Sequence, residues 1–155
     1  MRGVLSYIYE LPAITSARTL MYITAPATNV IEVLDSWVTW PSLDTNEQAE
    51  ITWDKISTLG TPTATTVSGM YHDYGMSGGG AVSTVKGNVT ASEPSYNGAG
   101  FRFAHEGVAS LSGWRYTPQP ESRFYIEPSS SYGIRNMGTI TSAVLIVGIT
   151  VREIG

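Results

Sequence analysis

A chain of 155 residues with a net charge of −4 and no cysteine has neither the basic stripe that phosphate neutralisation requires nor thiolates for disulfides or metal binding. Charged residues are 14% of the chain, against roughly 25% in an average soluble protein, and Ser and Thr supply roughly a fifth, a bias toward β-strands joined by small-residue turns. The longest apolar run, AVLIVGITV, is about half the ~20 residues of a membrane helix, and the length suits one domain spanning residues 1–155.

In chain order, VLSYIY (Val4–Tyr9) predicts a first strand closed by Pro12. Glu10 follows too soon for a signal peptide, so synthesis in the cytosol is expected. Residues 1–12 either pair inside their own sheet or reach a neighbouring subunit. In SARTLMYIT (Ser16–Thr24), alternation places Ala17, Thr19, Met21 and Ile23 on one face, with Arg18, Leu20 and Tyr22 on the other. VIEVLDSWVTW (Val30–Trp40) and AEITWDKIST (Ala49–Thr58) predict two more strands, separated by the loop PSLDTNEQ. In the second of these strands Ile51, Trp53 and Lys55 share a face opposite Thr52, Asp54 and Ile56.

Residues 60–82 have little period and contain three consecutive glycines, which predicts a long surface excursion with at most a short strand inside. Thr84–Ala91 reads as a weak strand and EPSYNGAG as a turn. Phe101–Ala104, Leu111–Tyr116, Ser122–Glu127 and Tyr132–Arg135 read as short strands. The C-terminal run ITSAVLIVGITVREI predicts a strand buried on both sides. Many short strands, turn signals about every 8 to 12 residues and no amphipathic helix predict an all-β sandwich, with a jelly roll favoured over an immunoglobulin-like arrangement.

Few motifs carry chemistry. GMSGG (Gly75–Gly79) satisfies G-x-S-x-G, and Glu93 and His105 follow Ser77 in hydrolase order. Three glycines, however, occupy the place where the required helix must begin. His72 and His105 are isolated and lack the paired spacing of a metal centre. DTNEQ resembles a calcium loop, but Ala49 and Lys55 stand where Gly and Glu are needed. Asn88-Val89-Thr90 is a glycosylation sequon, relevant only to a secreted protein. No catalytic, cofactor-binding or metal-binding residue is therefore expected, nor a small-molecule substrate, nucleic acid or membrane as partner.

The segment GWRYTPQPESRFYIEPSSSYGIRN (Gly113–Asn136) concentrates charge and aromatic rings. Alternation predicts Trp114 and Phe124 in the core, with Arg123, Tyr125 and Glu127 on the polar face of a hairpin. Its two prolines, Pro118 and Pro120, fix the turn. Glu121 and Arg123 fall within reach of each other and organise that turn near an interface.

Four segments in order resemble the small jelly-roll cement, or decoration, proteins of tailed-phage heads. They are AITSARTLMYITAPATNVIEVLD (Ala13–Asp35), LDTNEQAEITWDKI (Leu43–Ile56), GWRYTPQPESRFYIEPS (Gly113–Ser129) and the closing VREIG. The third is the most specific, being similar to a G-W-x-Y-x-P-T-P-E-E-R-x-x-I-x-P-S pattern. Gln119 and Ser122 depart from that pattern, and residues 60–82 have no counterpart. The resemblance implies a structural virion protein on the outer surface of an icosahedral head. Its expected form is a homotrimer bound to a major capsid protein of HK97-like fold. The interface residues expected on this reading are Arg18, Tyr22, Trp40, Tyr71, Tyr74, Glu121, Arg123, Tyr125, Tyr132 and Arg135. Two alternatives stand beside it. One is a carbohydrate- or receptor-binding module of a fibre or tail, with Tyr71, Tyr74 and Tyr96 as stacking platforms. The other is an enzyme using Ser77 or the Glu121/Glu127 pair.

Overall fold

In a computed structural model, which describes residues 3–41, 48–72, 83–98, 100, 102–109, 112–140 and 143–155, the β-branched and aromatic runs form antiparallel strands. These are β1 (Val4–Ile14), β2 (Arg18–Thr24), β3 (Val30–Thr39), β4 (Gln48–Thr58), β5 (Thr63–Thr66), β6 (Gly69–Tyr71) and β7 (Thr84–Ala91), then β8 (Ser95–Tyr96), β9 (Arg102–Ala109), β10 (Trp114–Tyr116), β11 (Tyr125–Ile126), β12 (Ser131–Asn136) and β13 (Ala143–Ile154). The first sheet runs β10-β3-β13-β1-β6, with β11 also on β3. The second runs β5-β7-β2-β12-β4-β8, with β9 also on β4. β1 to β4 alternate between the two sheets, and so do β11, β12 and β13.

The sheets bury one core between them, as expected of a β-sandwich. From the first sheet come Leu5, Tyr7, Leu11, Ile31, Val33, Val38, Leu145, Val147, Ile149 and Val151, all essentially inaccessible. Leu20, Met21, Ile23, Ile51, Trp53 and Ile134 face them from the second. Trp53 is the largest fully buried side chain. Its indole N–H donates to Ser36 Oγ at 2.7 Å, and its ring meets Phe124 edge-on at 5.4 Å. Trp114 and Phe124 are both in this core, as their spacing predicts.

Several boundaries differ from the sequence expectation. Pro12 does not close β1: the strand continues to Ile14, and the register with β13 shifts between Leu11 and Ile14. β6 covers only Leu5–Tyr7 on the other side, so the missing proline N–H falls at a bulge where no neighbour needs it. β1 thereby pairs inside its own sheet.

In β2 the strict alternation fails at Leu20. Arg135 pairs with Thr19 and Ile134 with Met21, leaving Leu20 as the extra residue of a bulge. One inserted residue reverses the phase. Thr19 therefore leaves the face of Met21 and Ile23 and turns outward to Glu93 and Tyr96.

Residues 60–72 are not an excursion. They form β5 and β6, edge strands of opposite sheets; residues 73–82 lie outside the described part. β9 extends to Ala109 because β4 templates it along its length. β13 is buried on its core face, while Val144, Ile146, Thr150 and Arg152 on the other face remain partly accessible. The expected burial on both sides holds for one side only.

Candidate functional site

The outer faces of the two sheets differ in how they are covered. On the second sheet, Tyr22, Ile56 and Val89 form a small apolar cluster roofed by Leu59, Ala64 and Tyr96. This roof explains why β2 is buried on both faces. Beside it, Asp54 Oδ2 accepts from Arg135 Nη1 at 3.0 Å and from Thr52 Oγ1 at 3.0 Å. Arg102 Nε lies 3.1 Å from Asp54 Oδ1, yet neither atom has a hydrogen-bonding partner, so this second contact is one of charge, off the line a hydrogen bond needs.

The Arg135 guanidinium lies 3.9 Å over the Tyr96 ring, and the Tyr96 hydroxyl rests against Gly133, where a Cβ would overlap it. Tyr96 also bonds Thr19 Oγ1 at 2.7 Å, and Thr19 donates to Glu93 through N–H and hydroxyl. Burial pushes the Tyr96 phenol up, against the lowering effects of Thr19 and Arg135. This network ties β2, β12, β4 and β9 together across the outer face of the second sheet. Asp54→Asn is expected to cost about 2 kcal/mol in a urea melt, below the roughly 3–5 kcal/mol of a fully buried broken pair, because both arginines keep some water contact. Unchanged stability would show that the arginines hold the face without the carboxylate.

The outer face of the first sheet carries no such roof among the described residues. Register places Arg115, Trp37, Gly148 and Ile8 in one row across β10, β3, β13 and β1. The next row holds Asp35, Thr150, Ser6 and Met70. Ile8 and Met70 are exposed. The Trp37 ring lies against Gly148, where any Cβ would overlap it.

Asp35 accepts from Arg115 Nη2 at 2.6 Å, from Arg115 Nε at 3.2 Å and from Thr117 Oγ1 at 2.8 Å. Ser6 Oγ lies 2.7 Å from His72 Nε2 and 2.8 Å from Thr150 Oγ1. Asp35, Arg115, Ser6, His72 and Thr150 line, with Trp37, a groove of about 550 Å³ crossing the sheet from Arg115 to His72. At one end of the same face, Glu32, buried, binds Arg123 at 3.2 Å and Arg152 at 3.0 Å.

The residues expected at interfaces separate into groups. Tyr22, Trp40 and Tyr132 are buried within the chain and offer almost no area to a partner. Arg135 is committed to Asp54 and Tyr96, and Arg18 donates to Asn88 at 3.2 Å. That bond also engages the sequon asparagine, itself nearly buried. Tyr71 packs half-buried on the core, Tyr125 is exposed, and Tyr74 lies outside the described residues.

Glu121 does not share a strand face with Arg123. Pro120–Ser122 is a 3-10 turn, and Arg123 reaches Glu32 on β3 instead. Glu127 binds Lys55 at 2.8 Å, and this hydrogen bond holds its carboxyl below the usual range. Glu93 and His105 belong to different networks: Glu93 is held by Thr19, His105 by Glu50 and Arg102. Ser77 lies outside the described residues. Among those described, no three His, Asp or Glu side chains gather as a metal site.

Trp37 was not singled out by the sequence. Its setting depends on Gly148, 111 positions away, and only the β3–β13 register brings the two together. Comparison with protein-family models, curated proteins and solved structures finds no match to this chain.

Proposed function

We propose that this chain is a structural virion protein: a cement protein of jelly-roll type that binds the outside of an icosahedral phage head as a homotrimer and stabilises contacts between capsomers. The observation that carries the reading is the segment Gly113–Ser129, whose sequence resembles that family. It lies along the edge of the first sheet, where β10 and β11 both pair with β3. Its apolar residues Trp114, Phe124 and Ile126 enter the core, and its arginines, Arg115 and Arg123, are tied to Asp35 and Glu32 of β3. The motif thus reads as a fold signature.

Strand order supports the jelly-roll part. A jelly roll is an eight-stranded double sheet built of two Greek keys. The order β1-β13-β3-β10 in one sheet and β2-β12-β4-β9 in the other fits it, with β5, β7 and β6 as additions at the edges. Low charge and exposed apolar residues, Ile8, Met70, Phe103, Tyr125 and Ile154, suit a surface partly covered by partners. A protein that binds only the expanded shell stabilises it by mass action, and a closed three-fold ring needs only one heterologous interface per subunit.

Native mass spectrometry is expected to give three copies. The purified protein is expected to saturate mature phage heads built from a major capsid protein of HK97-like fold, and to leave unexpanded precursors bare. A single-copy mass with no retention on mature heads overturns the proposal.

A further inference from the structure

We propose that the groove on the outer face of the first sheet is a binding site for neutral saccharides, with Trp37 as its stacking platform and the Asp35–Arg115 pair as its hydroxyl reader. This proposal stands independently of the capsid reading.

A sugar ring presents a face of C–H groups and a rim of vicinal hydroxyls, so its site needs a supported aromatic plane beside paired donors and acceptors. The Trp37 ring is backed by Gly148 and lines the groove. The missing side chain at Gly148 lets the indole lie over its cross-strand neighbour, as aromatic rings do over strand glycines. A ring seated in this way loses little entropy when a ligand stacks on it.

Asp35 and Arg115 supply the hydroxyl-reading pair. A carboxylate has about four acceptor positions, and Asp35 uses three on Arg115 and Thr117. One position remains for a ligand hydroxyl, and Arg115, highly exposed on its side chain, keeps guanidinium donors for the hydroxyl next to it. Ser6, Thr39, Ser112, Thr150 and His72 extend the polar lining. The paired charges cancel locally, so the site favours an uncharged ligand. A volume of about 550 Å³ falls within the roughly 300–1,000 Å³ of small-ligand sites.

Two of the three platforms expected from sequence do not serve here, and Tyr74 lies outside the described residues. Tyr96 is covered by Arg135 and rests against Gly133, and Tyr71 packs on the core.

The test titrates the full chain with cellotriose, chitotriose and maltotriose, read by tryptophan fluorescence and calorimetry, beside a glycan array. At least one neutral glycan is expected to bind saturably at millimolar concentration or below. Trp37→Ala is expected to weaken it about tenfold, and Trp37→Phe to restore part of the loss. Arg115→Ala, at a side chain largely open to water, is expected to weaken binding while the chain stays folded, with its melting temperature lowered by no more than a few degrees. It therefore tests the site even if Trp37→Ala unfolds. No saturable binding by the wild-type chain overturns the proposal, as does binding that survives Arg115→Ala and Trp37→Phe undiminished. A groove protected only by a protein partner, with every glycan silent, overturns it as well.

Discussion

Trp53→Ala is expected to destabilise the chain by about 3–5 kcal/mol, the range for removing a large buried aromatic side chain, measured as a fall in the urea midpoint at unchanged slope. Trp53 is fully buried on the second sheet. It reaches across the core to Ser36 on the first sheet and meets Phe124 next to β11 edge-on. Its removal leaves a cavity where the two sheets meet and a buried Ser36 hydroxyl without its donor. Both terms carry the same sign. Trp53→Phe is expected to keep most of the packing and lose the hydrogen bond, at about 1–2 kcal/mol. A loss below about 1 kcal/mol in Trp53→Ala would mean that the sheets do not rely on this residue.

The positions of Trp114 and Phe124 were legible because period-2 alternation within one strand decides which side chains share a face, and alternation is local. For Trp53 it gave the face shared with Ile51 but not which way that face turns. The strand expected at Val30–Trp40 from its apolar, β-branched run is β3, and the weak strand expected at Thr84–Ala91 is β7. What the sequence did not show depends on partners far along the chain. The bulge at Leu20 is defined by the opposite strand, where Ile134 and Arg135 skip a position. Pro12 is accommodated because β6 is too short to need its N–H. Residues 63–71 are weakly patterned on their own and become strands because β7 and β1 offer them edges.

The site was less legible than the fold. Tyrosines that read as accessible proved to be covered: Tyr22, expected at an interface, by the roof over the second sheet, and Tyr96, expected as a platform, by Arg135. The candidate platform is instead a tryptophan inside a strand, ordinary in sequence and distinguished only by the glycine that pairing places beneath it. Arg123 illustrates the same limit. Its neighbour Glu121 is the nearest acid in sequence, but the 3-10 turn carries Glu121 elsewhere and register brings Glu32. Local spacing identifies faces; register identifies partners.

Between about pH 10 and 12 the fold is expected to lose stability steeply, through tyrosines held neutral in the folded chain. Tyr7 is the clearest case. Its hydroxyl lies 2.8 Å from Ser83 Oγ, and the same Ser83 Oγ lies beside the carboxylate of buried Glu153. Burial pushes the Tyr7 phenol up to about 12, the Ser83 hydrogen bond opposes this, and the Glu153 charge adds to it. Tyr22, Tyr96, Tyr116 and Tyr132 are raised too, burial being the largest cause in each.

A phenol raised on folding contributes its stability fully below its unfolded value of 10.0. That contribution disappears as pH climbs through the folded value, because the unfolded chain ionises first. For Tyr7 alone the contribution lost is about 2 kcal/mol. A titration followed by phenolate absorbance is expected to show two phases, the later one coinciding with loss of near-ultraviolet circular dichroism. Tyr7→Phe is expected to be less stable at neutral pH, having lost its bond to Ser83, and less sensitive to alkali. A single ionisation of all tyrosines near pH 10, with native circular dichroism throughout, would show that these phenols reach water in the folded chain.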